Sequence, residues 1–131
     1  MVIIGAGPGG YEAASVAAAG GVEVTVVEET GIGGAAVLTD CVPSKTLIAT
    51  AEVTSTLRRA AELGLRHTET FEVDLDAVNF RVRQLAQAQS DDISRGLERK
   101  GVRLISGRAR LATGAPGHLH RVVINDDETI D

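Results

Sequence analysis

Blocks of apolar residues and blocks of glycine alternate at the start of this chain. Val2-Ile3-Ile4 is wholly apolar, the pattern of a strand buried on both faces of a parallel sheet. Gly5-Ala6-Gly7-Pro8-Gly9-Gly10 follows, and then an Ala-rich stretch that predicts a helix from about Tyr11 to Ala19, stopped by Gly20-Gly21. Val22 to Val27 reads as a second strand, closed by Glu28 and Glu29. Strand, helix and strand make a β-α-β unit, which implies a right-handed crossover between parallel strands.

Thr30 to Asp40 has three glycines and little periodicity, so a loop is expected there. Pro43 suits the first turn of a helix, where a missing N–H costs nothing. Leu47, Ala51, Thr54, Leu57 and Ala61 then recur at helical spacing as far as Gly64. His67 to Asp74 is irregular or a short extended piece. A second long helix is expected from about Asp76 to Lys100, with Val78, Val82, Leu85, Ile93 and Leu97 on one face and Gly96 weakening its end. Gly101 breaks it, and Val102 to Ile105 reads as a third strand. Ala109-Arg110-Leu111 begins an antiparallel piece. A turn over Thr113 to Gly117, a strand over Leu119 to Ile124, a turn over Asn125 to Glu128 and a last strand from Thr129 complete the pattern. An α/β unit followed by a half-finished meander is not a natural domain end. Residues 1–131 are therefore expected to be the N-terminal part of a longer protein.

Composition narrows the functional classes. The 131 residues suffice for one domain with a modest core. A net charge of −5 argues against a nucleic-acid surface, which needs clustered Lys and Arg. Aromatic content of 2% leaves no rings for base stacking. No apolar run reaches the roughly 18 residues of a membrane span. The start lacks a basic leader region and reads as a strand running into a Gly loop. One cysteine, Cys41, rules out a disulfide within the chain, and a reducing cytoplasm is the default compartment.

The glycines carry the chemistry. Gly5, Gly7 and Gly10 fit G-x-G-x-x-G, with Pro8 inside the turn. Gly5 permits the tight turn out of the strand, Gly7 lets backbone approach a pyrophosphate, and Gly10 lets the helix pack close to the strand. The pyrophosphate then sits on the unpaired N–H groups of the helix N-terminus. Glu28 ends the second strand 18 positions after Gly10, where a carboxylate can accept hydrogen bonds from a ribose. Glu29 reads as a solvated loop charge. His67, His118 and His120 form no metal pattern. His118 and His120 share a strand face, but exposed edge residues are the simpler reading.

Gly5 to Gly10, Glu28, Gly33-Gly34, and Cys41-Val42-Pro43-Ser44-Lys45 resemble the pyridine nucleotide-disulfide oxidoreductases, in the branch of dihydrolipoamide dehydrogenase, mercuric reductase and glutathione reductase. Gly107-Arg108-Ala109 after the third strand extends the likeness over most of the chain. The resemblance implies an α/β fold: a Rossmann-like FAD/NAD(P)-binding domain, with a parallel sheet, helices and the start of an antiparallel β-meander. It implies FAD as cofactor, NAD(P)H as co-substrate, and a homodimer for the full-length protein. By that likeness Gly5, Gly7 and Gly10 line the FAD pyrophosphate and Glu28 holds the adenosine ribose. Gly33 and Gly34 bring backbone against the cofactor, Ala109 presents backbone to the adenine, and Lys45 lies by the flavin ring. The bland alternative for Lys45 is a first-turn surface lysine, and its place four residues after Cys41 favours the flavin role.

The departure from the family pattern changes the expected chemistry. Disulfide-reducing members carry Gly-Gly-Thr-Cys-x-Asn-x-Gly-Cys-x-Pro-Ser-Lys. Counting from Gly33 puts Ala35 for Thr, Ala36 for the first Cys, Leu38 for Asn and Asp40 for Gly, while Cys41 keeps the place of the second. Thiol–disulfide exchange needs an attacking thiolate and a second thiol to resolve the mixed disulfide, so a relay through these two positions is impossible. Hydride transfer from NAD(P)H to FAD needs neither thiol. The expected activity is therefore transfer through flavin to a small-molecule acceptor such as a quinone, as in the family's actinobacterial NAD(P)H:quinone reductase branch. A disulfide reductase using a thiol outside these residues, and a non-catalytic flavin-binding domain, are the alternatives. Cys41 itself reads as a retained flavin-contact thiol, a small buried hydrophobe or a single redox-active Cys. The isolated 131 residues are expected to hold FAD poorly and to be inactive.

Overall fold

The computed structural model describes residues 1–65, 72–112, 120–125 and 128–130. The strands β1 (Val2–Ile4), β2 (Thr25–Glu28) and β3 (Arg103–Ser106) form a parallel sheet in the order β1-β2-β3. Ile3 lies opposite Val26, and Val26 opposite Leu104. A second, antiparallel sheet holds β4 (Ala109–Leu111), β5 (Val122–Ile124) and β6 (Glu128–Ile130) in chain order. Four helices accompany them: α1 (Pro8–Ala19), α2 (Gly34–Leu38), α3 (Cys41–Arg58) and α4 (Leu75–Arg99).

Alternation along β2 explains the layering. Val26 joins Ala6, Ala14, Val24, Leu97 and Val102 in a core on the side of α1 and α4. Its neighbour Val27 points to the opposite face and packs with Val122 and Ile124 of the antiparallel sheet. The central strand is thus buried on both faces, and its sequence has to be apolar throughout. At the carboxyl ends of β1, β2 and β3 the chain leaves for the Gly-rich turn, the 29–33 loop and Gly107.

The β-α-β unit, the third strand and the antiparallel strands agree with the sequence reading, several boundaries do not, and the expected turn over Thr113 to Gly117 lies outside the described residues. The first helix starts at Pro8 rather than Tyr11, with Pro8 in the first turn and Gly7 as N-cap. The second strand starts at Thr25 rather than Val22, because its partners β1 and β3 are only three and four residues long. Thr30 to Asp40 is not all loop: Gly34–Leu38 is the short helix α2. The next helix begins at Cys41, two residues before Pro43, and ends at Arg58, with a 3-10 turn over Ala60–Leu63 closed by Gly64 at φ +76°. The last helix spans Leu75–Arg99 and runs through Gly96 without a break.

The largest correction concerns the faces of the long helices. On α3 the residues at helical spacing do not form a buried face: Leu47 and Leu57 are exposed and no residue of that helix is buried. The helix α3 packs against α4, and its half-buried Thr46, Thr50 and Thr54 donate their hydroxyls to the carbonyls of Val42, Thr46 and Thr50. On α4 the buried stripe is Val82, Ala86, Ser90 and Leu97, while Leu85 is exposed.

Candidate functional site

The site is built from two glycine segments that meet at the ends of β1 and β2. Gly5 leaves β1 at φ +92°, a conformation that other residues rarely adopt, and its N–H donates to the Val27 carbonyl at 2.8 Å. Gly10 is obligatory for a different reason. A Cβ there would lie 2.0 Å from the Gly5 carbonyl oxygen, so only glycine lets α1 start this close to the turn. Gly7 and Gly9 are the opposite case, since a Cβ on either meets nothing within 4 Å. They face open space at a helix N-terminus, where the first N–H groups have no intrahelical partner.

The second segment is Gly31 to Gly34. Gly33 sits at φ +99°, and its N–H donates to the Ala6 carbonyl at 2.8 Å. A Cβ on Gly34 would come 3.0 Å from the Gly7 Cα, so the two backbones nearly touch. Glu28 ties both segments from beneath. Its Oε2 accepts from the Ala6 N–H at 2.7 Å. Its Oε1 accepts from the Thr30 N–H and the Thr30 hydroxyl, each at 2.8 Å, and from the Gly31 N–H at 3.4 Å. Partial burial pushes the Glu28 carboxyl up. The N–H donors of Ala6, Thr30 and Gly31 and the Thr30 hydroxyl outweigh that push and hold it below its ordinary value. Glu28 also lines a cleft of about 290 Å³ with Thr30, Gly31, Ile32, Leu104 and Ile105, at the carboxyl ends of β2 and β3. Open α/β sheets take ligands at such ends.

Gly5, Gly7, Pro8, Gly10, Glu28, Gly33 and Gly34 are therefore brought together. Ala109 sits further along, as the first residue of β4 opposite Ile124. The Arg108 carbonyl accepts from the Asn125 N–H and the Ala112 N–H donates to the Arg121 carbonyl, at the two ends of β5, so the alternation of an antiparallel pair turns the N–H and C=O of Ala109 away from β5. Cys41 and Lys45 lie one turn apart on the same face of α3, both exposed. Cys41 is an exposed free thiol in the first turn of the helix, so the buried-hydrophobe reading does not hold in this structure. The α2–α3 junction is tight: the Asp40 N–H closes α2 on the Ala35 carbonyl, and the Ser44 N–H already donates to the Asp40 carbonyl. Among the described residues no three His, Cys, Asp or Glu side chains gather as a metal set. His67 and His118 lie outside the described residues, and His120 is exposed.

Sequence reasoning missed Thr30, which supplies two of the four bonds on Glu28, and Ser90, which holds the Ile32 carbonyl. Thr30 had a faint signal as a hydroxyl residue two positions after a strand-ending carboxylate. Ser90 had another as the polar member of a buried helical stripe.

Residues 1–128 match the family described as pyridine nucleotide-disulphide oxidoreductase. The chain belongs to this family. Among its relatives is an NAD(P)H dehydrogenase (quinone) from Mycobacterium tuberculosis, 49% identical over 121 residues, which cover 89% of this chain and 24% of the relative. A dihydrolipoyl dehydrogenase from Chlamydia muridarum is 36% identical over 110 residues, 84% of this chain and 23% of the relative. The crystal structure of LpdA from Mycobacterium tuberculosis superposes with a TM-score of 0.86 at 45% identity, covering 98% of this chain and 28% of that one. The Escherichia coli flavoprotein disulfide reductase RclA shares the fold at 20% identity, with a TM-score of 0.75. This pyridine nucleotide-disulphide oxidoreductase chain spans about a quarter of the length of the curated relatives it matches. Among its described residues no helix is long and apolar enough to cross a membrane.

Proposed function

We propose that residues 1–131 are the front of the FAD-binding domain of an oxidoreductase that passes hydride from NAD(P)H, through the flavin, to an acceptor such as a quinone. The observation that carries the acceptor class is Ala36 on α2, the position that counting from Gly33 gives to the first cysteine of the disulfide-reducing pattern. The relative that is 49% identical is named NAD(P)H dehydrogenase (quinone), and this supports the same reading.

The residues fit a flavin dinucleotide on geometric grounds. Space left open at Gly7 and Gly9, beside N–H groups that α1 leaves without partners, suits a diphosphate. Glu28 fits a ribose edge. A carboxylate offers about four acceptor sites, and Oε2 carries one donor to the three on Oε1, which leaves it room for a hydroxyl. Gly33 and Gly34 supply a close backbone wall, and the outward backbone of Ala109 suits the edge of an adenine. Lys45 supplies positive charge on the same helix face as Cys41. FAD, when bound, supplies reversible two-electron chemistry. The chain's own task is to hold and orient it, and to favour anionic charge near Lys45. Cys41 is kept without a resolving partner at position 36, so thiol exchange through this loop has no second step.

The test uses the full-length flavoprotein. An anaerobic dithionite titration should end at two electrons per flavin rather than four, because no disulfide lies at this loop. The protein should reduce a naphthoquinone with NADH or NADPH and leave lipoamide untouched. Robust lipoamide turnover would sink the acceptor assignment in favour of a disulfide reductase with a thiol elsewhere.

A further inference from the structure

The core of this chain holds one buried polar side chain among the described residues. Ser90 is 5% exposed and lies on the stripe of α4 that also carries Val82, Ala86 and Leu97. A serine inside a helix ordinarily donates back to the carbonyl four residues earlier. Ser94 does so with the Ser90 carbonyl at 2.9 Å, and Thr46, Thr50, Thr54 and Thr56 of α3 do the same. Ser90 does not. Its single hydroxyl proton goes across to the Ile32 carbonyl at 2.6 Å, 58 positions away in the chain.

Ile32 lies between Gly31 at φ +145° and Gly33 at φ +99°. The peptide unit joining Ile32 to Gly33 is held at both ends. Its C=O accepts from Ser90, and its N–H donates to the Ala6 carbonyl in the Gly-rich turn at 2.8 Å. With glycine on its C-terminal side such a peptide can turn over at little steric cost, so its orientation has to be imposed from outside. A turned peptide would lose both bonds and would shift Gly34, whose backbone rests against Gly7.

We propose that Ser90 is a positioning residue for the dinucleotide cradle, locking the Ile32–Gly33 peptide so that the Gly33-Gly34 backbone stands in place before the diphosphate arrives. This rests on the flavin reading above. Alanine fills the site sterically but leaves the Ile32 carbonyl without its donor, a change in loop geometry more than in packing.

The experiment compares wild-type full-length protein with Ser90→Ala, Ser90→Thr and Ser94→Ala. Flavin dissociation constants are measured well below the melting temperature, and amide hydrogen exchange over residues 31–34 is measured in the flavin-stripped proteins. Ser90→Ala should weaken flavin binding about tenfold and speed exchange at Gly33 and Gly34. Ser90→Thr, which keeps the hydroxyl, should restore both, and Ser94→Ala, one turn on, should change neither. A merely structural role would lower the melting temperature of Ser90→Ala and leave its dissociation constant and 31–34 exchange at wild-type values; that result overturns the proposal, as does equal weakening by Ser94→Ala. Faster exchange in Ser90→Ala, with a wild type that holds no FAD, would keep the lock and remove the flavin reading instead.

Discussion

Gly7 and Gly10 are both glycines of one motif, yet they answer to different demands, and mutation should separate them. The Cβ of Gly10→Ala would be driven into a backbone oxygen that cannot swing away, so the variant should lose about 3 kcal/mol or more of stability. Gly7 has φ −66°, which alanine accepts, and open space around it. Gly7→Ala should therefore unfold within about 1 kcal/mol of wild type while binding flavin at least about tenfold more weakly. Urea unfolding of the flavin-free proteins and flavin titration check the pair, and equal stability loss in both would contradict the division. Glu28 makes a pH-dependent contribution. Its folded pKa is depressed, so the stabilisation is fully present above the ordinary carboxylate pKa and is lost as pH falls through the lower, folded value. Glu28→Gln replaces one acceptor oxygen by a donor that faces other donors, and should cost about 1–3 kcal/mol at neutral pH. That difference from wild type should shrink in acid, and a pH-independent difference in unfolding free energy would count against it. The motif glycines and Glu28 were legible because their spacing is dictated by one local turn and one strand. Thr30 and Ser90 were not, because nothing local tells a serine or threonine which distant atom its hydroxyl will reach.

At the scale of elements, strands and helices were legible wherever one periodicity ran long enough, and boundaries failed where tertiary partners decide. Val22 and Val24 extend the apolar pattern of β2, yet the ladder begins where its partners do, with Thr25 opposite Val2 and Arg103. The five residues of α2 show no period, open on Gly34 and follow Gly33 as N-cap, so only the fold around them reveals a helix. Asn125, just after β5, gives a testable case. Asn125 has φ +50°, its N–H donates to the Arg108 carbonyl at 2.9 Å, and its Oδ1 accepts from the Arg108 N–H at 2.9 Å. Asn125 thus ties the end of β5 to the entry of β4, next to Ala109, by one backbone and one side-chain bond. Asn125→Ala forfeits the hydrogen bond and keeps the strained backbone, for about 2 kcal/mol in urea unfolding. Asn125→Gly relieves the backbone and should lose roughly half as much. If the two variants proved equally unstable, the positive φ would carry none of the effect.

The whole molecule leaves its longest helices half-dressed. No residue of α3 is buried, and Leu47, Ile48, Val53 and Leu57 stand exposed along it. Val73 and Leu75, at the start of the α4 segment, are exposed as well, and they border a cleft of about 380 Å³ with Leu47, Thr50 and Thr54. Scattered exposed leucines are ordinary, but contiguous apolar surface on this scale in a free polypeptide is a liability. The same segment carries Cys41 and Lys45, so the side of the site proposed to face the flavin ring belongs to a helix with no buried residue. The Gly-rich turn, Glu28 and the 31–34 loop rest instead on the parallel sheet and on α4. Residues 1–131 expressed alone should therefore keep the cradle's local geometry, bind a hydrophobic dye such as ANS strongly, and release FAD on gel filtration. The full-length flavoprotein should bind the dye weakly and stay yellow. Amide exchange would localise the difference, with slow exchange in β2 and the core of α4 and fast exchange along α3 in the short polypeptide. Stoichiometric FAD retained by residues 1–131 through gel filtration would show that the sheet-borne half of the site suffices by itself, and that α3 adds chemistry without adding affinity.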